Sequence, residues 1–421
     1  MTGTETPRPF DALRRTSKNR NFRLYAIGNW ATSVGVWVQT IGIAWLTWEL
    51  TESTAWLGAI ALAEAIPALA LALCAGAIVD RVDCYKLMRV TQSCQVLYTL
   101  AICVLCLIGL IDIWLLFALT CGRGAVLAFN RPARMTLLYA VVGRDLLAPA
   151  LAVQSILFNS SRFLGPALGG AIIAFGGTVW AFGVATAMYL TFTLMLSLMK
   201  VKGEPVARER RSVLSDMAEG VRYIALHPGI SIHLALLFAV SLCAKPLTDM
   251  LPGFADRVFA LGVDGLAILM TAHGLGAMLG ALWLAARSAG VAGMTAISIA
   301  NALAIALSLM LFVATGSLWL ACPMAALAGF GFLVQSITGQ TLVQSAVDPA
   351  LRGRVLSVYG VVLEGVPAIG AFFVGLAAER VGLRLPLFVG GALCFAAWFW
   401  VWRRRDSLTL ALETPPEGVA R

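Results

Sequence analysis

Twelve apolar runs of bilayer-spanning length constrain this chain more than any other feature of its sequence. They lie near 24–48, 55–79, 87–110, 113–135, 147–174 and 177–199, and then near 229–255, 264–287, 292–314, 317–340, 355–378 and 384–403. About 20 residues of α-helix, each rising about 1.5 Å, cross a hydrocarbon layer of about 30 Å. Within that layer each backbone N–H and C=O needs a partner inside the protein, and a helix supplies one to nearly every residue. The composition agrees: 60% of the 421 residues are hydrophobic and 13% charged, with a mean hydropathy of +0.85, too apolar for a soluble domain. The sequence therefore predicts an all-α membrane protein with twelve transmembrane helices.

The runs fall into two sets of six, separated by a polar stretch. The predicted organisation is a tail (1–23), an N-terminal six-helix half (24–199), a linker (200–228), a C-terminal six-helix half (229–403) and a second tail (404–421). In the linker, Leu214, Met217, Val221 and Ile224 recur at helical spacing, which predicts an amphipathic helix lying on the membrane surface. The tail after Arg405 is short and polar and is expected to be disordered. Trp45, Trp48, Trp56, Trp114, Trp180 and Trp319 fall near helix ends and read as interface anchors.

A net charge of +9 raises nucleic acid as a partner, but the placement of the charge argues against it. Of 31 Lys and Arg, Arg257, Arg380 and Arg384 fall on one set of loops or the run ends beside them, Arg123, Arg162 and Lys245 deep inside runs, and the other 25 on the alternate loops, the run ends facing them and the two tails. This is the positive-inside asymmetry, which puts both termini and the basic loops in the cytoplasm, against an anionic leaflet. Residues 1–21 are polar and basic and lack the apolar core of a signal peptide. The nine cysteines (74, 84, 94, 103, 106, 121, 243, 322 and 394) lie mostly inside runs without paired spacing. They read as packing residues, not as a disulfide or metal framework, and so does the Cys103-x-x-Cys106 pair. No phosphate-binding loop and no nucleophile constellation of plausible spacing occurs, so neither an enzyme nor a cofactor is expected.

The loop between the second and third runs carries a dense signature, GAIVDRVDCYKL at 76–87. Gly76 lets another backbone approach, Asp80 is an anion suited to a neighbouring helix N-terminus, and Arg81 and Lys86 hold the loop at an anionic surface. The stretch resembles the signature loop of the major facilitator superfamily, with Cys84 and Tyr85 standing where many relatives carry arginines. The runs at 129–170 and 352–360, FNRPAR, NSSRFLGPALGG and RGRVLSVYG among them, are similar to the branch of enterobactin-type siderophore exporters and macrolide efflux proteins. The resemblance implies two pseudo-symmetric six-helix halves that export small, largely apolar molecules by alternating access. The halves echo one another in GPALGG (Gly165, Pro166, Gly169, Gly170) and GVPAIG (Pro367, Gly370), small residues and a proline where helices approach closely.

Ionisable side chains deep in apolar runs are the informative minority, each costing roughly 2.5–3.5 kcal/mol on insertion scales. They are Glu64, Arg123, Arg162, Lys245, Asp249, His273 and Glu364. Lys245 and Asp249, four apart on one predicted helix, can neutralise each other. Arg162 either anchors a carboxylate or binds an anionic group, and Arg123 resembles the arginine of proton-coupled drug antiporters at that depth. His273 serves as a helix–helix hydrogen-bonding group or a substrate contact. Asn29, Gln39, Asn159, Gln335 and Gln340 add neutral polar groups to a candidate substrate cavity. Glu64 and Glu364 sit about ten residues into their runs, hence at similar depth, and two carboxylates sharing a dry site cannot both ionise cheaply. They are the expected coupling pair, with Asp249 the next candidate. Asp80 is expected to meet the start of the eleventh run, or Arg352 or Arg354, as a cytoplasmic gate.

The sequence thus predicts a monomeric secondary transporter of the bacterial cytoplasmic membrane whose partners are a small amphipathic molecule, the coupling proton and the bilayer. A lipid or solute transporter of the same fold, and a non-transporting membrane sensor or scaffold, stay open.

Overall fold

The computed structural model of the chain describes residues 16, 18–79, 82–143, 145–201, 213–287 and 290–413, and among them there are helices and turns and no strand. In chain order the helices are α1 (Arg20–Thr51), α2 (Thr54–Val79), α3 (Cys84–Leu107), α4 (Ile113–Val142), α5 (Leu147–Leu198), α6 (Val213–Leu226), α7 (Pro228–Cys243) and α8 (Leu247–Gly253). After a π-helical turn (Phe254–Val258) come α9 (Gly262–Ala285), α10 (Met294–Ala314), α11 (Leu318–Ala346), α12 (Arg352–Glu364), α13 (Val366–Val381), α14 (Arg384–Trp402) and α15 (Arg405–Glu413).

Ten described segments are long and apolar enough to cross a membrane, α7 to the π-turn forming one and α12–α13 another. The long α5 turns at Gly177, whose φ of 79° and ψ of 176° suit a residue without Cβ, so it comprises two spans. With those two and the 32-residue α1, the described chain is consistent with twelve crossings.

Two compact units emerge, one of Met1–Gly42, Ala70–Ile111 and Gly122–Glu209, the other of Ile43–Leu69, Asp112–Cys121 and Arg210–Arg421. In the first, α1 lies close against α5: a methyl on Gly165 would collide with the Trp37 side chain, and Gly165, Pro166, Gly169 and Gly170 are buried. In the second, the helices from α7 to α14 pack together, and α6 and α15 lie across their ends near the termini.

Those two short helices depart from expectation. Helix α6 docks on the start of α12, a protein contact that the surface-helix expectation did not include. Glu219 makes a 2.6 Å salt bridge to Arg354, and Gly220 abuts the Arg354 backbone. The Tyr223 hydroxyl accepts from Asp348 N at 3.4 Å. Of the predicted apolar stripe, Ile224 is buried, Met217 half-buried and Val221 exposed, so only part of it meets protein. The tail after Arg405 is ordered through Glu413: Leu408 and Leu412, one turn apart, are buried. The Glu413 carboxylate accepts from Gly293 N (2.8 Å) and Thr295 N (2.9 Å) at the start of α10, where orphan N–H groups and the helix dipole favour an anion. Trp45 and Trp48 are likewise buried in protein, whereas Trp114, Trp180 and Trp319 stand exposed as lipid-facing anchors would.

Candidate functional site

Two prolines interrupt the seventh and eleventh spans, and the polar groups of the second unit gather there. Proline has no N–H, so it leaves the carbonyl four residues before it without a helical donor. Pro246 does this to Leu242, and the helix stops at Cys243 and resumes at Leu247. Pro367 does it to Leu363, and α12 ends at Glu364 before α13 starts at Val366. Each orphan carbonyl meets the other span. The bare Gly370 backbone comes up to the Leu242 oxygen so closely that a methyl there would collide with it. The Lys245 ammonium donates to the Leu363 oxygen at 3.1 Å.

This corrects the expectation that Lys245 and Asp249 share one continuous helix face. The helix is interrupted between them, though the two stay within electrostatic reach of one another. Lys245 reaches across to the eleventh span, while Asp249 sits in the first turn of α8, its carboxyl within electrostatic reach of Lys245 and of Glu64. Glu364 is the last residue of α12, next to the Leu363 carbonyl. Glu64, Lys245, Asp249 and Glu364 all lie within the second unit.

A separate polar network runs through the first unit. Arg134 donates to Asn29 Oδ1 at 2.7 Å and to Asn130 Oδ1 at 3.1 Å. Asn29 donates on to Gln154 Oε1 (2.6 Å), and Asn130 to Thr91 Oγ1 (3.0 Å). The Tyr25 hydroxyl donates to the Arg134 carbonyl (3.2 Å), and the guanidinium stands 5.9 Å from the Phe192 ring. Further along, Gln92 donates to Thr32 Oγ1 at 3.0 Å, and Gln39 Oε1 accepts from the Tyr189 and Thr99 hydroxyls. Among the described residues the guanidinium of Arg134 is held by amide oxygens, with no carboxylate.

The remaining predicted residues are scattered. Arg123 is buried on α4, and Arg162 stands over the Trp37 and Phe158 rings at 5.8 and 5.9 Å. Asn159 donates to Ser155 O on its own helix (2.8 Å). Gln335 donates to Ser298 Oγ (2.9 Å), tying α11 to α10, and Gln340 is exposed. His273 packs its ring 5.9 Å from Phe332. Arg354 belongs to Glu219, Arg352 and Lys86 are exposed, and Pro367 is buried. Gly76 lies in the last turns of α2, while Asp80 and Arg81 are outside the described residues.

Sequence reasoning missed the hub, Arg134, although Asn130 and Arg134 are four apart on one helix face within the FNRPAR stretch. It also missed His233. That imidazole is fully buried, and neither ring nitrogen has a hydrogen-bond partner among the described residues. A methyl on Gly339 would sit 2.6 Å from its Nε2 and 2.8 Å from the Tyr359 hydroxyl.

Comparison with known proteins identifies this architecture. The family model of transmembrane secretion effectors, a branch of the major facilitator superfamily, matches residues 14–411. The chain belongs to this family. It is a multi-pass membrane transporter. The staphyloferrin A transporter of Staphylococcus aureus is 25% identical over 92% of the chain and 97% of that relative. The enterobactin exporter EntS of Escherichia coli is 26% identical over 71% of each. Among solved structures, the nucleoside transporter NupG superposes with a TM-score of 0.71 at 15% identity, covering 92% of this chain and 99% of its own. A bacterial homologue of the lysosomal transporter Spinster superposes with a TM-score of 0.65 at 15% identity, covering 98% and 100%. These likenesses show the facilitator fold.

Proposed function

We propose that this facilitator is a proton-coupled exporter of a small amphipathic, siderophore-like compound, working by alternating access from the cytoplasmic face of a bacterial inner membrane. The observation that carries the coupling is the proline-paired break in the seventh and eleventh spans. There Lys245 is tied to a backbone carbonyl, and Asp249 lies within electrostatic reach of both Lys245 and Glu64, with Glu364 beside the Leu363 carbonyl. Carboxyls that neighbour one another inside apolar spans are the groups that take up and release protons as hydration changes between access states. Substrate class follows from the named relatives and from two buried or stacked cations, Arg123 and Arg162, which favour a neutral or anionic compound over a cation. The basic loops and tails support a cytoplasmic position for both termini.

Purified protein in liposomes with an imposed pH gradient tests this. Wild-type transport is expected to follow the gradient. Glu64→Gln combined with Glu364→Gln should flatten its pH dependence while substrate binding stays measurable. Normal pH dependence in that double variant would move the coupling site to Asp249. The substrate itself is expected among metabolites retained inside a deletion strain but not its parent.

A further inference from the structure

The turn between α1 and α2 is held by charges of opposite sign, one on each helix end. Helix α1 stops at Thr51 and α2 starts at Thr54, so Glu52, at a φ of 46°, and Ser53 reverse the chain. A helix C-terminus exposes unpaired carbonyls and the negative end of its dipole, and an N-terminus exposes unpaired N–H groups and the positive end. At the end of α1 the Arg257 guanidinium donates to the Glu52 carbonyl and stands 4.8 Å from the Trp48 ring. Trp48 in turn donates from Nε1 to Asp256 Oδ2 at 3.1 Å.

At the start of α2, one oxygen of the Glu379 carboxylate accepts from Thr54 N at 3.0 Å and Ala55 N at 3.4 Å. The hydroxyls of Ser53 and Thr54 reach the same oxygen at 3.2 and 2.9 Å. The third N–H, of Trp56, goes to Ser53 Oγ at 3.4 Å. Beneath the turn, methyls on Gly58 and Gly375 would collide with the Ala371 and Thr54 carbonyl oxygens, so α2 and α13 touch backbone to backbone. Arg257 comes from the π-turn ending the seventh span and Glu379 from the end of the eleventh. All these groups belong to the second unit.

We propose that Arg257 and Glu379 are positioning residues that latch the α1–α2 turn, each matched to a helix dipole and not to the other, and that releasing them opens this end of the transporter. The latch rests on the alternating-access reading above, but on neither the substrate nor the coupling ion. Neutralising Glu379 removes an anion from a helix N-terminus and weakens the bonds its oxygen accepts from two backbone N–H groups. Neutralising Arg257 removes a cation from a helix C-terminus. Each loss favours the state in which this end is apart.

The test uses the full chain in detergent with Ala371→Cys as reporter, a position with 0% exposure beneath the latch. A water-soluble maleimide labels it, and mass spectrometry reads that position alone. Glu379→Gln and Arg257→Gln are each expected to raise the labelling rate by about threefold to tenfold. Their combination should multiply the two effects, and Glu379→Asp should restore most of the slow rate. The exchanged pair, Arg257→Glu with Glu379→Arg, should label faster than either single exchange, since both helix ends then face like charge. Recovery of the slow rate in the exchanged pair would mean that the two residues serve each other and would overturn the proposal. So would unchanged labelling in both neutralised variants, including folded variants that retain the wild-type elution profile. Because no gradient or substrate is present, failure here is distinct from failure of the coupling reading.

Discussion

At Pro367 the chain lacks one backbone donor, and a lysine on another span supplies it. The Lys245–Leu363 bond at 3.1 Å joins a charged donor to a carbonyl that would otherwise be unsatisfied, a contact worth about 1–3 kcal/mol when broken from one side. Pro367→Ala gives Leu363 a helical N–H of its own. Lys245→Met should therefore lower stability in the wild-type chain and lower it much less beside Pro367→Ala. Thermal unfolding of the four members of that cycle measures the coupling, expected at roughly 0.5–3 kcal/mol; additive effects would show that the bond carries no weight. His233 poses the opposite case, a buried imidazole without partners among the described residues. Replacing a polar group that makes no bonds by an apolar one of similar size is near neutral, so His233→Leu is expected to keep or raise the melting temperature. Gly339→Ala pushes a methyl to 2.6 Å from His233 Nε2 and should cost about 1–3 kcal/mol as overpacking. A drop in both variants would show that His233 is held by something its buried surroundings conceal.

Among the elements, α6 and α15 carry the clearest lesson about amphipathic segments. Their stripes are as suited to lipid as to protein, and hydrophobic periodicity alone does not choose. The choice is made by specific polar contacts: Glu219 with Arg354 at 2.6 Å, and Glu413 on the N–H groups of Gly293 and Thr295. A carboxylate on a helix N-terminus is worth about 0.5–2 kcal/mol. Glu413→Ala should lower the melting temperature by that equivalent and loosen α15, read as faster proteolysis after Arg405. Equal stability of the variant would return this segment to the status of a dangling tail.

For the whole transporter, Glu219 and Arg354 tie α6 to the start of α12 at 2.6 Å, so the polar segment between the two six-helix halves is held by a charge pair. Glu219→Gln removes that pair, and limited proteolysis should then cut within Val213–Leu226 faster than in the wild-type chain. The pair is partly exposed and is worth about 1 kcal/mol or less, so the effect should be modest and smaller at high salt. An unchanged cutting rate would show that the pair carries no weight.

The apolar runs by themselves determined an all-α, multi-pass membrane protein, because hydrocarbon admits few ways to satisfy a backbone and run length sets the span. Motif runs such as GAIVDR, FNRPAR and RGR narrowed the branch, since each packs small or charged residues at fixed offsets. The inventory of charge within apolar runs, Glu64, Lys245, Asp249 and Glu364 among them, was also legible there, because a charge inside an apolar run is visible wherever it later points. Tertiary structure alone decided the partners. Nothing local says that Lys245 leaves its own helix for the Leu363 carbonyl, since that follows from where a proline on another span removes a donor. Nor does anything near Glu379 say that it caps α2, or that Arg134 gathers Asn29 and Asn130. Hydrogen bonds between distant segments form where packing of the apolar faces brings donors and acceptors within about 3 Å, and that packing is a property of the assembled helices.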